Sequence, residues 1–449
     1  MTSVQKEMFL RKLGANERVV WQTIQAGSIN FAAVARISGY VDEAALRTVL
    51  DLLSQRHPLL RTRIDIQQGE PVFTSCDVPE IPLRSVRRTK DTQWQEEAER
   101  ELNTVLPWST GPLLRVVLLQ NRNHSDIVTR FHHVMGDGTS GMYLMHDLIK
   151  LLGSICNGKV PTFKRMPERP PVEELLPHMN NLEGMVKSAT LASRQMFNII
   201  MRRPRTLPID RKASLEECFT RIVHCTLSKE ETGALIERCR RESTSVHGAI
   251  CAAMLMAASK QICNSEEKYP ITLNCMSPVD LRPYLNPPLG EELGFYASMV
   301  ITAHKVQDNG KLWDLARSVR RRVQTSIQSG DPLVFISLLD MLTPHDARPS
   351  DFARRASQIY PAPIMVTNLR RIAIPKVYET LSLEKLHFVV SNKAVPNLFN
   401  AALVTFADRL TLNFSYVDPV ISPEHARSLV EDTMKMLGTQ FHQQSLHCM

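Results

Sequence analysis

The residues with the clearest chemical potential are two adjacent histidines, His132 and His133, and an aspartate, Asp137, which is followed by Gly138. The near-neutral intrinsic pKa of histidine suits general acid–base catalysis. Two histidines and an aspartate also have the side chains of a metal site. Neighbouring residues of a strand point to opposite faces, so the two histidines would need further ligands from elsewhere in the chain. Residue types alone favour a third interpretation, a structural turn.

The elements that flank this segment would hold it in a defined place. Residues 127–133 alternate between apolar and polar and predict a strand, and residues 139–152 have apolar side chains at helical spacing. Gly136 and Gly138 permit backbone conformations that other residues rarely adopt. The start of the helix offers free backbone N–H groups beside the turn. A strand–turn–helix junction of this kind projects side chains from a rigid base.

Strands and helices alternate along both halves of the chain, which predicts an α/β or α+β fold with mixed sheets. Asp42 is a good N-cap for a helix over 42–56, which His57-Pro58 would end. Further helices are predicted at 228–241, 245–263, 310–329 and 423–440, and further strands at 113–119, 271–275, 295–303, 362–369, 384–391, 400–406 and 410–416. A proline-rich stretch divides the chain into 1–158, a crossover over 159–212 with a helix near 182–203, and 213–449.

Composition narrows the class of protein. With 449 residues the chain is long enough for two or more domains, and its 43% hydrophobic content is that of a globular protein. The net charge of +8 suits anionic partners, but no basic motif indicates nucleic acid. We see no secretory signal and no run of about eighteen uncharged apolar residues, so we expect no transmembrane segment. Nine scattered cysteines indicate reduced thiols in the cytoplasm.

The segment H-H-x-x-x-D-G resembles the active-site motif of a large acyltransferase superfamily. That superfamily includes condensation domains of peptide synthetases, chloramphenicol acetyltransferases, alcohol acetyltransferases and polyketide-associated acyltransferases. Four other segments resemble family motifs in the expected order: 54–62 (SQRHPLLRT), 277–283 (SPVDLRP), 293–298 (LGFYAS) and 366–369 (VTNL). The last resembles an S-N-L-G motif, but Arg370 stands in place of its glycine.

The resemblance implies two chloramphenicol-acetyltransferase-like lobes with a tunnel between them. It implies an acyl group moving from an acyl-CoA or acyl-carrier-protein thioester to a hydroxyl acceptor, without a metal or a bound cofactor. An amine acceptor, as in condensation domains, and a catalytically silent member that binds a partner are the alternatives. Because two lobes in one chain can form a complete site, we expect a monomer.

The resemblance also assigns roles to residues. His133, the second histidine of the motif, would be the general base, and His132 would be structural. Asp137 would turn away from His133 and pair with Arg282 of the second lobe, although a catalytic triad would instead have it orient the base. The backbone N–H of Gly138 would stabilise the oxyanion. Thr367 and Asn368 would line the tunnel.

Overall fold

The computed structural model describes residues 10–25, 28–176, 181–263, 269–342, 362–393 and 399–438. These residues form a mixed α/β fold, as predicted. The strands are β1 (Leu10–Lys12), β2 (Ser28–Ser38), β3 (Arg63–Gln67), β4 (Glu70–Thr74), β5 (Leu83–Arg87), β6 (Leu114–Gln120), β7 (His124–His132), β8 (Phe219–Thr226), β9 (Ile271–Asp280), β10 (Ala297–Val306), β11 (Ile364–Arg371), β12 (Val377–Tyr378), β13 (Leu381–Asn392), β14 (Phe399–Phe406) and β15 (Arg409–Asp418).

The helices are α1 (Ala15–Gln25), α2 (Glu43–Arg56), α3 (Gln93–Asn103), α4 (Gly138–Cys156), α5 (Val172–Leu175), α6 (Asn181–Phe197), α7 (Lys229–Arg241), α8 (Val246–Cys263), α9 (Leu312–Gln328), α10 (Asp331–Leu342) and α11 (Pro423–Met436). Helix α2 begins as predicted, because the Asp42 side chain accepts a hydrogen bond from the backbone N–H of Ala45. Helix α6 continues into one π-helical turn, Asn198–Arg202, within the predicted crossover.

Two six-stranded sheets form the framework of the described chain. The first has the order β12-β13-β2-β7-β6-β5, and the second has the order β10-β9-β11-β14-β15-β8. Strand β7, which leads into the histidine motif, lies inside the first sheet with β2 and β6 antiparallel on either side. Helices α2 and α4 cover one face of this sheet with a buried apolar core that includes Leu46, Leu50 and Leu148. The motif therefore follows one of the most constrained strands of the fold.

One segment of the second half completes the first sheet. Strand β13 pairs with β2 over nearly its whole length, and β12 pairs with β13. The same strand packs against the second sheet, where the side-chain amide of Asn413 donates to the backbone oxygen of Phe388 at 2.9 Å. The division of the chain at residues 158 and 213 remains a prediction. In the structure, the segment 377–392 of the second half of the chain forms two strands of the first sheet.

Helix α8 is long and apolar enough to cross a membrane by length and composition, and it is the one such helix in the described residues. It contains a single lysine, Lys260, near its end. Two thirds of it is buried (67%) inside the second lobe, where Ile250, Met254 and Leu255 are fully enclosed. The same length and composition are typical of a core helix, which is the position that α8 takes in this structure.

Candidate active site

The histidine motif lies at the junction that the sequence predicted. Strand β7 ends at His132, a single 3-10 turn runs from His133 to Met135, and α4 begins at Gly138 with Asp137 as its N-cap. The Asp137 carboxylate accepts from the backbone N–H of Ser140 at 2.8 Å, which closes the first turn of the helix. This capping bond explains the sharp change of direction between strand and helix.

His133 is held so that one ring nitrogen stays available. Its Nδ1 lies 2.8 Å from the backbone oxygen of Gly136. Because a carbonyl oxygen can only accept, Nδ1 carries the hydrogen and Nε2 carries the lone pair. Nε2 has no hydrogen-bond partner within the described residues. The rings of Phe31 and Phe295 meet the imidazole edge-on, each with its centroid 5.0 Å away.

The electrostatic surroundings keep His133 neutral at neutral pH. Burial lowers its pKa below the ordinary value of 6.5 and outweighs the opposing effects of the Gly136 carbonyl and the Asp137 charge. A neutral imidazole with an unprotonated Nε2 is the form that can accept a proton. The geometry and the charge distribution thus both fit a general base.

His132 has different surroundings from its neighbour. Its side chain is fully buried, and neither ring nitrogen has a hydrogen-bond partner in the part of the chain that the structure describes. Burial, together with the nearby charge of Arg130, lowers its pKa to about 3. A neutral, enclosed imidazole contributes packing, which is consistent with the structural role expected for it.

Asp137 pairs with Arg282, as predicted. The guanidinium donates to both carboxylate oxygens, each at 3.0 Å, and the backbone N–H of Tyr296 donates to Oδ2 at 3.0 Å. Burial would raise the pKa of Asp137, but Arg282 and the backbone donors outweigh it, so the pKa lies below its ordinary value. The carboxylate oxygens accept hydrogen bonds from Arg282 and from backbone N–H groups, whereas His133 Nδ1 donates to the backbone oxygen of Gly136. This geometry is not that of a catalytic triad.

Ser140 ties the same turn to the second lobe, a role that the sequence analysis did not assign. Its hydroxyl accepts from Arg282 Nη2 at 2.8 Å and donates to the backbone oxygen of Gly294 at 2.9 Å. The backbone N–H of Asp137 also donates to Gly294 at 3.3 Å. Segments 280–282 and 293–296 therefore hold the motif turn from the opposite lobe.

A cavity of about 1140 Å³ opens beside His133, and its walls come from both lobes. The first lobe contributes His133 and Gly138, and the second contributes Thr367 and Asn368 among many others. The Asn368 side chain also accepts from the backbone N–H of Arg370 at 2.7 Å, which shapes the end of β11. The two residues predicted to line the tunnel therefore lie on the wall of this cavity.

Gly138 is required by close packing. A methyl group at this position would lie 2.8 Å from Leu369 Cδ2 and 2.8 Å from Phe388 Cζ. As the first residue of α4, Gly138 also presents one of the backbone N–H groups that have no carbonyl partner inside the helix. A backbone donor thus lies on the cavity wall next to the motif.

Two features of the site escaped the sequence analysis. Phe31, which packs against His133, belongs to β2, a strand that was not predicted, and His247 lies at the start of the helix predicted over 245–263. In the structure His247 lines the cavity, and its Nε2 lies 2.9 Å from the hydroxyl oxygen of Ser277. Within the described residues no cluster of three or more histidine, cysteine, aspartate or glutamate side chains could hold a metal ion.

Comparison with known proteins finds the same families. Residues 218–415 match the model of the phthiocerol/phthiodiolone dimycocerosyl transferase C-terminus. A probable alcohol acetyltransferase of Aspergillus fumigatus is 23% identical over 346 residues, which cover 68% of this chain and 70% of that protein. Cyclosporin synthetase of Tolypocladium inflatum is 24% identical over 71% of this chain, but the match spans only 2% of the synthetase.

Solved structures share the whole fold. The trichothecene 15-O-acetyltransferase of Fusarium sporotrichioides superposes with a TM-score of 0.74 at 14% identity and covers 97% of this chain and 96% of its own. Polyketide synthase associated protein 5 of Mycobacterium tuberculosis has a TM-score of 0.68 at 19% identity, over 95% of this chain and 97% of its own. The fold, the motif and these matches are all similar to those of condensation domains and acyltransferases.

Proposed function

We propose that this protein is an acyltransferase that moves an acyl group from an acyl-CoA or acyl-carrier-protein thioester to a hydroxyl acceptor. The observation that carries the proposal is the arrangement of His133. Its Nδ1 is held by the Gly136 carbonyl at 2.8 Å, which leaves Nε2 unprotonated beside a cavity shared by both lobes. The acetyltransferases among the related proteins support the choice of reaction class.

The reaction follows from these positions. Nε2 of His133 accepts the proton of the acceptor hydroxyl while that oxygen attacks the thioester carbonyl carbon. The negative charge that develops on the carbonyl oxygen is stabilised by the backbone N–H of Gly138. When the carbon–sulfur bond breaks, the imidazolium returns the proton to the leaving thiolate. The sequence of steps needs no metal, no bound cofactor and no covalent enzyme intermediate, so chelators should leave turnover unchanged.

Thiol release measured with a panel of acyl-CoAs and alcohols tests the proposal. Replacing His133 with alanine should lower kcat/KM by about 10²- to 10⁴-fold, the usual contribution of a general base. His124→Ala is a matched control, because it removes a histidine with 37% side-chain exposure from the far end of β7, the strand that leads to His133. Release of thiol by wild-type protein separates an enzyme from a silent binding member. Equal activity of His133→Ala and wild type would refute the assignment of the base.

Amide formation is the second candidate, and the matches to peptide synthetases favour it. One histidine can take a proton from an amine as readily as from a hydroxyl, so the site geometry is compatible with both reactions. Mass spectrometry of products from paired alcohol and amine acceptors of the same carbon skeleton distinguishes them. Ester alone supports the first proposal, and amide alone replaces it with the second.

A further inference from the structure

Arg370 stands where the related motif has a glycine, and its backbone keeps the glycine-like conformation. Its φ angle is +61°, in the left-handed region. The register of β11 against β14 breaks between Asn368 and Arg371, around this residue. A left-handed conformation costs energy for any residue with a Cβ atom, and such strain is commonly kept where the side chain serves a function. The arginine side chain therefore needs an explanation.

Arg370 lines the cavity, its side chain is exposed, and it forms no ion pair with the described residues. The described carboxylates on that wall already have cationic partners: Asp137 and Asp280 with Arg282, and Asp408 with Arg371 at 2.8 Å and Lys229 at 3.7 Å. Another cation on the wall, Arg320, donates to the backbone oxygen of Ser243 at 3.0 Å. Arg370 thus remains a positive charge that the described protein groups leave uncompensated.

Other polar groups share this part of the wall. His247 and Ser277 line the cavity with Arg370, and the His247 ring is bonded to the Ser277 hydroxyl. Burial, and then the positive charge of Arg370, lower the pKa of His247 to about 4. The guanidinium is therefore close enough to act on His247 through space. A cation beside a neutral imidazole and a hydroxyl is a suitable environment for an anionic oxygen group.

We infer that Arg370 binds an anionic group of a substrate, a carboxylate or a phosphate, and so selects substrates that carry one; this inference rests on the proposed acyl transfer. Arginine donates to such groups through a planar fork of N–H bonds, which are stronger than neutral hydrogen bonds. The charge has two possible sources in a thioester donor. One is the phosphates of coenzyme A, and the other is a carboxylate at the end of the acyl chain.

Binding measured by isothermal titration calorimetry separates these sources. Coenzyme A differs from 3′-dephospho-coenzyme A by its 3′-phosphate, and 3′-dephospho-coenzyme A differs from pantetheine by its diphosphate and adenosine, whereas succinyl-pantetheine and butyryl-pantetheine differ by one carboxylate. For the source that Arg370 recognises, Arg370→Gln should weaken binding of the charged member about 10- to 100-fold more than binding of its neutral counterpart. Arg240→Gln is the charge control, because it removes an arginine with 75% exposure from α7. This control variant should change the affinity for neither the charged nor the neutral ligands.

The outcomes distinguish this inference from the proposed function. If wild-type protein binds none of the five ligands, the proposed function fails at its donor. If wild type binds them but the preference for the charged member is absent, or survives Arg370→Gln unchanged, only the role of Arg370 fails. An equal loss of affinity for charged and neutral ligands would also overturn the role of Arg370. Such a loss would mean that the substitution changes the shape of the cavity and not the recognition of charge.

A second pair of variants tests whether Arg370 instead supports the fold. Arg370→Gly restores the residue of the related motif and should lose the same charged-ligand affinity without lowering the melting temperature. Gln68→Gly is its matched control, because Gln68 also has a positive φ of 53° and lies on an exposed turn outside the cavity. It should leave affinity unchanged. A clear fall in the melting temperature of Arg370→Gly would mean that the side chain is structural and would refute the inference.

Discussion

The ion pair between Asp137 and Arg282 links the motif turn to the second lobe, and the cost of its removal can be estimated. Only 4% of the Asp137 side chain and 9% of the Arg282 side chain are exposed. Removing one member of a buried pair leaves the other charge without a partner, which costs about 3–5 kcal/mol. Arg282→Ala should lower the free energy of unfolding by about that amount. Asp137→Ala should cost a similar amount, because it removes the N-cap of α4 although Arg282 keeps its ion pair with Asp280 at 3.0 Å.

The double variant gives the sharpest measurement. Arg282→Ala leaves the Asp137 carboxylate without its cation, and Asp137→Ala leaves Arg282 with Asp280 as its carboxylate partner at 3.0 Å. Asp137→Ala/Arg282→Ala should therefore be less destabilised than the sum of the two singles, with a coupling of at least about 1 kcal/mol. Urea titration at pH 7 provides the free energies, and thiol release provides the activities. Because the pKa of Asp137 in the folded protein lies below its ordinary value of 3.8, the contribution of its charge is complete above that ordinary value. It should disappear as the pH falls through the lower, folded-state pKa.

Two results would contradict this account. Additive free energies in the double-variant cycle would mean that the contact contributes nothing as a pair. Asp137→Asn is the other decisive variant, since it keeps an oxygen that can cap α4 but removes the charge. We expect it to lose stability and activity together. If it abolished turnover while the free energy of unfolding stayed unchanged, Asp137 would be acting on His133 as the carboxylate of a triad.

Three further predictions concern the same turn. Because burial lowers the pKa of His133, kcat/KM should fall at acid pH with a midpoint below 6.5, and a midpoint above 7 would contradict the neutral base. His132→Ala removes a fully buried ring and should cost about 2–4 kcal/mol in urea titration; an unchanged midpoint of denaturation would argue against its packing role. Gly138→Ala places a methyl group 2.8 Å from Leu369 and Phe388, so overpacking should cost about 1–3 kcal/mol and lower kcat, whereas wild-type stability and kcat would contradict the close approach.

The local elements of the site could be predicted from the sequence because their signals are local. The strand before the motif has alternating residues, and the helix after it has an aspartate cap and apolar residues at helical spacing. Strand β7 and helix α4 accordingly lie within a few residues of the predicted ranges. The same holds for α2, where Asp42 caps the helix and Pro58 follows its end.

Strand β2 could not be predicted in this way. Its residues from Phe31 to Ala35 are buried without alternation, because the strand lies between β13 and β7 with both faces covered. A continuous apolar run rich in alanine does not distinguish a buried strand from a buried helix. Strand β2 was therefore missed, and with it Phe31, one of the two rings that hold His133.

Contacts between distant parts of the chain could not be predicted either, because local patterns do not identify distant partners. The pairing of β13 with β2 joins residues about 350 positions apart, and periodicity carries no information about a partner strand. The position of His247 on the cavity wall depends on how the second lobe docks. The link from Asp137 to Arg282 was predicted only because a family resemblance supplied it.

The site described here belongs to neither lobe alone. The first lobe positions His133 and the N-terminus of α4, but the turn between them is held by Arg282 and by the backbone of Gly294 from the second. A displacement of the second lobe would remove the ion pair, the bond to Ser140 and one wall of the cavity together. His133 would keep its bond to Gly136, which is local to the turn. Under the proposed mechanism, such a displacement should therefore weaken substrate binding before it affects the basicity of His133.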